Sequence, residues 1–150
     1  MITLKAGDKA PNFEGVDQDG KTHKLEDYSG KKLIVYFYPK DNTPGCTAES
    51  CNLRDNYELM QKQGYEILGV SQDSEKSHQK FIEKHQLPFA LLADTDHKVH
   101  EAFGTWGEKK MYGKTYMGTL RTTFVIDETG TISEVIEKVK TKDHAAQILG

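Results

Sequence analysis

The pattern at the start of the chain is that of a short hairpin. Gly15 and Val16 lead into the polar turn Asp17-Gln18-Asp19-Gly20, and Lys21-Thr22-His23-Lys24-Leu25 returns from it, a hairpin pattern. Leu33-Ile34-Val35-Tyr36-Phe37-Tyr38 is then an unbroken apolar and aromatic run closed by Pro39. Such a run suits a central strand covered on both faces. From there the pattern predicts a helix over 44–63, a strand at 66–71, a helix at 74–85, a short strand at 89–92 and a helix near 96–103. Strand signals at 122–126 and 131–139 flank the turn Asp127-Glu128-Thr129-Gly130, a second hairpin, and a last helix covers 143–149. Residues 104–119, rich in Gly, Lys and Tyr with little periodicity, read as a long surface loop. This alternation predicts an α/β fold, a mixed sheet with helices on both faces.

No repeat or linker divides the 150 residues, so one domain over 1–150 is expected. Hydrophobic residues are 36%, and the 13 Gly bring the broad apolar share to about 45%, low but within the folded range. The 29% of charged residues mix both signs, which argues against disorder. No apolar run approaches the ~20 residues of a membrane span. Met1 to Asp8 lack the apolar core of a signal peptide, so the expected location is the cytoplasm. Twenty Lys and Arg against 23 Asp and Glu give a net charge of −3, with no basic stripe for nucleic acid. No Gly-rich phosphate loop is present, and no nucleotide cofactor is expected. His97 and His100 have helical spacing but no ligand cluster beside them, and read as a solvated helix face.

The chain has two cysteines, Cys46 and Cys51, in Tyr38-Pro39-Lys40-Asp41-Asn42-Thr43-Pro44-Gly45-Cys46-Thr47-Ala48-Glu49-Ser50-Cys51. Thr43 before Pro44 is a helix start, with Thr43 as the capping residue. Cys46 then falls in the first turn, where free amides and the helix dipole favour a thiolate. A small buried core residue is the other reading of its position. On a helix, Cys46, Leu53, Tyr57 and Met60 share the apolar stripe, while Cys51 lies with Asp55, Glu58 and Lys62. The two Cα atoms would stand roughly 8.6 Å apart on an ideal helix. A disulfide seldom spans more than ~7 Å, so bonding would require the helix to unwind. Cys-x₄-Cys is not a thioredoxin-type Cys-x-x-Cys, and zinc would need further ligands.

Pro39-x-x-x-Thr43-x-x-Cys46 resembles the active-site signature of the peroxiredoxins. A second cysteine five residues on, in the same helix, is similar to the bacterioferritin comigratory protein, or Q-type, subfamily. The resemblance extends to Gly7-Asp8-x-Ala10-Pro11-x-Phe13, Asn52-Leu53-Arg54-Asp55 and Arg121-Thr122-Thr123-Phe124-Val125-Ile126-Asp127. It implies a thioredoxin-like fold with a central mixed sheet and an N-terminal hairpin extension. It also implies a thiol peroxidase that uses no metal, haem or flavin, and so no cofactor.

On that resemblance Cys46 is the peroxidatic cysteine, oxidised by hydrogen peroxide or an organic hydroperoxide to a sulfenic acid. Thr43 would orient the peroxide besides capping the helix, Pro39 would shield the site, and Arg121 would support the thiolate and bind the peroxide oxygens. Cys51 would resolve the sulfenic acid as an intramolecular disulfide, which thioredoxin or a similar dithiol would reduce. A monomer is expected, since an intrachain disulfide needs no partner subunit. Glu49 would help tie down the active-site helix, against the alternative of a solvated glutamate. Arg54 would assist the site or pair with Asp55 or Glu58, and Trp106 would contact the pocket or the reductase, or anchor a loop. Two other classes compete: a redox sensor or holdase whose unwinding helix exposes Leu53, and a thiol–disulfide oxidoreductase, which the missing Cys-x-x-Cys disfavours.

Overall fold

The apolar run becomes β3 (Lys32–Phe37), and its residues alternate between two cores. Leu33, Val35 and Phe37 face one way and Ile34, Tyr36 and Tyr38 the other, all fully buried. That two-sided burial is what an unbroken hydrophobic strand requires of its neighbours. The computed structural model describes residues 2–150. In it β3 is the middle of a five-stranded sheet, with β4 (Tyr65–Ser71) and β5 (Ala90–Ala93) on one side and β8 (Thr122–Ile126) and β9 (Ile132–Ile136) on the other. β3, β4 and β5 run parallel, and β8 and β9 add antiparallel pairs.

Helix α1 (Pro44–Lys62) lies on the Tyr36 side with α2 (Glu75–His85) and α4 (His144–Leu149). It buries Cys46, Leu53 and Met60 there, beside Phe81, Ala145 and Ile148. The opposite face is covered by α3 (Lys98–Phe103) and by the N-terminal residues Ala10 and Phe13. The N-terminal hairpin pairs β1 (Glu14–Val16) with β2 (Thr22–Lys24), and a single 3-10 turn, Leu25–Tyr28, joins it to the sheet. A central mixed sheet with helices on both faces and a hairpin ahead of it is the thioredoxin-like arrangement that the resemblance implies.

Two expectations are corrected. Residues 104–119 do not form a loop. They make a hairpin of β6 (Trp106–Met111) and β7 (Lys114–Thr119), turned by Tyr112 and Gly113, both with positive φ. Positive φ at both central residues defines a type I′ turn, the form whose twist suits a two-residue hairpin. Most of the ribbon is exposed on both faces, with Met111, Tyr112, Tyr116 and Met117 in solvent, so no alternation of polar and apolar residues marks it. His100 is likewise not on a solvated face. It is fully buried, with Nδ1 2.6 Å from Asp94 and Nε2 2.9 Å from Thr119.

Gly69 of β4 lies opposite Tyr36 of β3. A Cβ at this position would come within 2.5 Å of Leu91 Cδ2 and 2.8 Å of Tyr36 Cζ. The glycine therefore makes room for the Tyr36 ring, whose hydroxyl is 2.9 Å from Ser50 Oγ on α1. Gly69→Ala is expected to destabilise the fold by about 1–3 kcal/mol, as overpacking of a dense core does. Denaturant unfolding checks this, and an unchanged midpoint would contradict the packing described.

Candidate active site

α1 begins where β3 ends, so the strand delivers Pro39 and the helix delivers Cys46 to the same edge of the molecule. Thr43 has the extended backbone of an N-cap (φ −86, ψ 152), and Pro44 occupies the first helical position. Its side chain does not cap the helix, contrary to the sequence expectation: the hydroxyl donates instead to Lys40 O at 2.8 Å. That bond uses the hydroxyl proton and leaves the oxygen lone pairs able to accept from a ligand. The first hydrogen bond of the helix is Thr47 N to Thr43 O, 2.8 Å. The amides of Gly45 and Cys46 precede that ladder, so this end carries unpaired donors and positive partial charge.

Cys46 is 1% exposed, which places its sulfur within the core wall. Arg121, just ahead of β8, reaches it from across the sheet, with Nη2 donating to Cys46 Sγ at 3.2 Å. The other end of the guanidinium, Nη1, donates to Glu49 Oε1 at 2.6 Å. Gly45 lies alongside this contact, where a Cβ would only touch Arg121 Nη2 at 3.4 Å. Burial works against the Arg121 charge, but the Glu49 carboxylate and the Cys46 sulfur outweigh it and raise the Arg121 pKa. Glu49 is not a solvated helical residue; it is fully buried. Burial pushes its pKa up to about 7 even though Arg121 pulls it down.

The structure thus brings Cys46, Arg121 and Glu49 together beside Thr43, with Pro39 half-buried in the segment leading to α1. It does not bring in Arg54. That side chain donates to His85 O at 2.8 Å and pairs with Asp55, fastening α1 to the end of α2. Trp106 stacks on His97 at 3.8 Å between ring centres and meets His100 edge-on. Cys51 is partly exposed, and both thiols are free. α1 is continuous through both cysteines, so the spacing of roughly 8.6 Å for an i, i+5 pair applies.

Two sets of residues escaped the sequence reading. One anchors the segment before α1: Tyr38 Oη donates to Asp41 Oδ1 at 2.6 Å, while Ser77 Oγ (2.8 Å) and His78 Nδ1 (2.7 Å) meet Asp41 Oδ2. Asp41 N donates to Asp73 Oδ2 at 2.8 Å. Asp41, Asp73 and His78 converge like metal ligands, but their converging atoms are engaged in this network. No local pattern signals the group, because Asp41 and His78 are far apart in sequence and meet only in the folded state. The other is Lys109 of β6. Partial burial and the Arg121 charge hold its pKa below the ordinary lysine value, against the Cys46 sulfur, so Lys109 lies within electrostatic range of the site.

A buried thiol at a helix start, faced by an arginine that is itself held by a buried glutamate, defines a thiol-based redox site on a thioredoxin-like sheet. Residues 6–135 match the AhpC/TSA family. The chain is 51% identical over 148 residues to peroxiredoxin Bcp of Bacillus subtilis (strain 168), covering 99% of this chain and 94% of that protein. It superposes on Xylella fastidiosa PrxQ, crystallised as a cysteine-to-serine mutant, with a TM-score of 0.90 at 35% identity, over 97% of this chain and 93% of that one. A Xanthomonas campestris bacterioferritin comigratory protein, studied for alkyl peroxide reduction, gives 0.87 at 37% identity, over 93% and 88%. The chain belongs to the AhpC/TSA family, and these relatives within it are peroxiredoxins of the Bcp, or Q, type.

Arg121→Ala removes the cation beside the sulfur. It is expected to slow the reaction of Cys46 with peroxide on the order of a hundredfold, the scale of losing one donor to developing charge. Stopped-flow rates at neutral pH check this, and an unchanged rate would take Arg121 out of the chemistry.

Proposed function

We propose that this protein is a thiol peroxidase in which residues 1–150 act as one catalytic unit and Cys46 is the peroxidatic residue. The contact between Arg121 Nη2 and Cys46 Sγ, 3.2 Å, carries the reading, because it sets a fixed positive charge against the one buried thiol at a helix start. The Cys46 thiolate attacks one oxygen of a hydroperoxide. The O–O bond breaks, the leaving oxygen takes a proton and departs as water or an alcohol, and sulfur retains the other oxygen as a sulfenic acid. Arg121 faces the charge that moves onto the leaving oxygen, and the Thr43 oxygen accepts from the peroxide hydroxyl. Pro39 limits water at the sulfur. The substrates are hydrogen peroxide and organic hydroperoxides, a range supported by the alkyl peroxide activity of the Xanthomonas campestris relative.

Cys51 acts as the resolving residue. Its thiol attacks the Cys46 sulfenic sulfur, water leaves, and an intramolecular disulfide forms. The intact helix holds the two residues beyond disulfide reach, so residues 46–51 unwind first. Partial exposure of Cys51 suits access by an external dithiol, and thioredoxin is the partner of choice: it reduces the disulfide and becomes oxidised itself. No helix among the described residues is long and apolar enough to cross a membrane. The protein works as a monomer, because every step uses groups of one chain, in the cytoplasm, where a reducing environment keeps both thiols free between turnovers.

Cys46→Ser is expected to abolish peroxide reduction. Cys51→Ser is expected to consume one equivalent and stall as a sulfenic acid or over-oxidise. Peroxide consumption coupled to thioredoxin oxidation checks both. Sustained turnover by Cys51→Ser would end the resolving role of Cys51, and a wild type that consumes a single equivalent would make the protein a sensor.

A further inference from the structure

Glu49 is fully buried, yet among the described residues only one of its carboxyl oxygens has a hydrogen-bond partner. Oε1 accepts from Arg121 Nη1, while among the described residues no donor reaches Oε2. His144 Nε2, on α4, stands 3.5 Å from that oxygen. The far side of the imidazole fixes its protonation. Gln147 donates through Nε2 to Lys138 O at 2.9 Å and accepts from Lys140 N through Oε1 at 2.8 Å, which sets the orientation of its amide. His144 Nδ1 lies 2.8 Å from that Oε1, an acceptor, so Nδ1 carries a proton. In a neutral ring Nε2 is then an acceptor, taking the Thr123 hydroxyl proton at 2.7 Å, and it offers no donor to Glu49 Oε2. An anionic oxygen left without a donor beside an accepting ring nitrogen is costly in a dry core, and one proton on Oε2 or on Nε2, with the Thr123 hydroxyl then turned to accept, removes that cost.

We propose that Glu49 and His144 hold one proton between Oε2 and Nε2 at neutral pH, leaving the Arg121 charge to the Cys46 sulfur, and that His144 is a positioning residue acting through Glu49 and Arg121. Burial acts on both groups in the direction this requires, raising Glu49 and lowering His144 toward their neutral forms. The remaining ionisable neighbours are few. From β3, Tyr36 stays a neutral phenol, its pKa raised well above the ordinary value chiefly by burial. Ahead of β8 stands Arg121, one turn earlier on α1 stands Cys46, and Lys109 of β6 lies within electrostatic range of both. With the proton in place, the thiolate and the guanidinium balance, and the buried Glu49–His144 pair adds no charge. Without it, the Glu49 carboxylate competes with the thiolate for Arg121. By linkage, a thiolate at Cys46 must in turn tighten the hold of the pair on its proton.

The test is NMR of the isotope-labelled reduced protein without peroxide, following the Glu49 carboxyl carbon and the His144 ring nitrogens across neutral pH. Glu49→Gln identifies the carboxyl signal by its loss. The expected result is one titrating proton shared by the pair. In Cys46→Ser its midpoint should fall by about one pH unit, the size of shift that removing a neighbouring charge produces. An ionised Glu49 beside a His144 protonated only at Nδ1 at and below neutral pH would overturn the proposal. So would an identical midpoint in wild type and Cys46→Ser. The inference rests on the peroxidatic reading only for its catalytic consequence. Because the titration is read on resting protein, its failure and a failure of peroxidase activity are distinguishable.

Discussion

One guanidinium organises this molecule. Arg121 lies between a fully buried carboxyl group and a nearly buried thiol, donating to Glu49 at 2.6 Å and to Cys46 at 3.2 Å. A partly buried charge of this kind persists only if its partners are held in place around it. Glu49 is fixed because α1 packs Leu53 and Met60 against the sheet, and Arg121 because it enters β8 beside the central strand. The fold therefore serves the arginine: Cys46 on α1 and Arg121 at the entry to β8, 75 residues apart in sequence, are brought into contact.

The same helix that presents Cys46 also carries Cys51, and the residues between them bind the site together. Glu49 holds Arg121, and Ser50 Oγ is 2.9 Å from the Tyr36 hydroxyl. Just beyond, Asn52 accepts from Ala145 N at 2.8 Å and donates to Lys142 O at 3.1 Å, tying α1 to the approach of α4. On the proposed reaction, joining the cysteines means pulling these groups out of their contacts. The assembled site and the disulfide are then alternative states of one segment, and the second cannot form without taking the first apart.

Most of the architecture was legible in the sequence because the burial pattern there is simple. β3 is covered on both faces and reads as an unbroken run, and α1 buries a stripe that helical spacing exposes at once. The β6–β7 hairpin was not legible, since a ribbon exposed on both faces leaves no period to read and its turn uses Tyr112 where Asn or Asp would signal it. The thiol, its threonine and the distant arginine were visible through a motif. Glu49 was reached only through the family resemblance, and other polar residues that become buried were not visible: His100, Asp41 and His78 look like surface groups until the residues that satisfy them arrive from elsewhere in the chain. Arg54 shows the opposite case, a charged residue close to Cys46 in sequence that the fold directs to the end of α2.

The central claim is that Cys46 reacts with peroxide and Cys51 then closes onto it within one chain. Intact mass and peptide mapping of the reduced protein after one equivalent of hydrogen peroxide test it most directly. The account predicts a loss of two hydrogens and a linked peptide containing Cys46 and Cys51. A protein whose mass does not change, or one that gains oxygen at Cys46 and never forms the linked peptide, would contradict it.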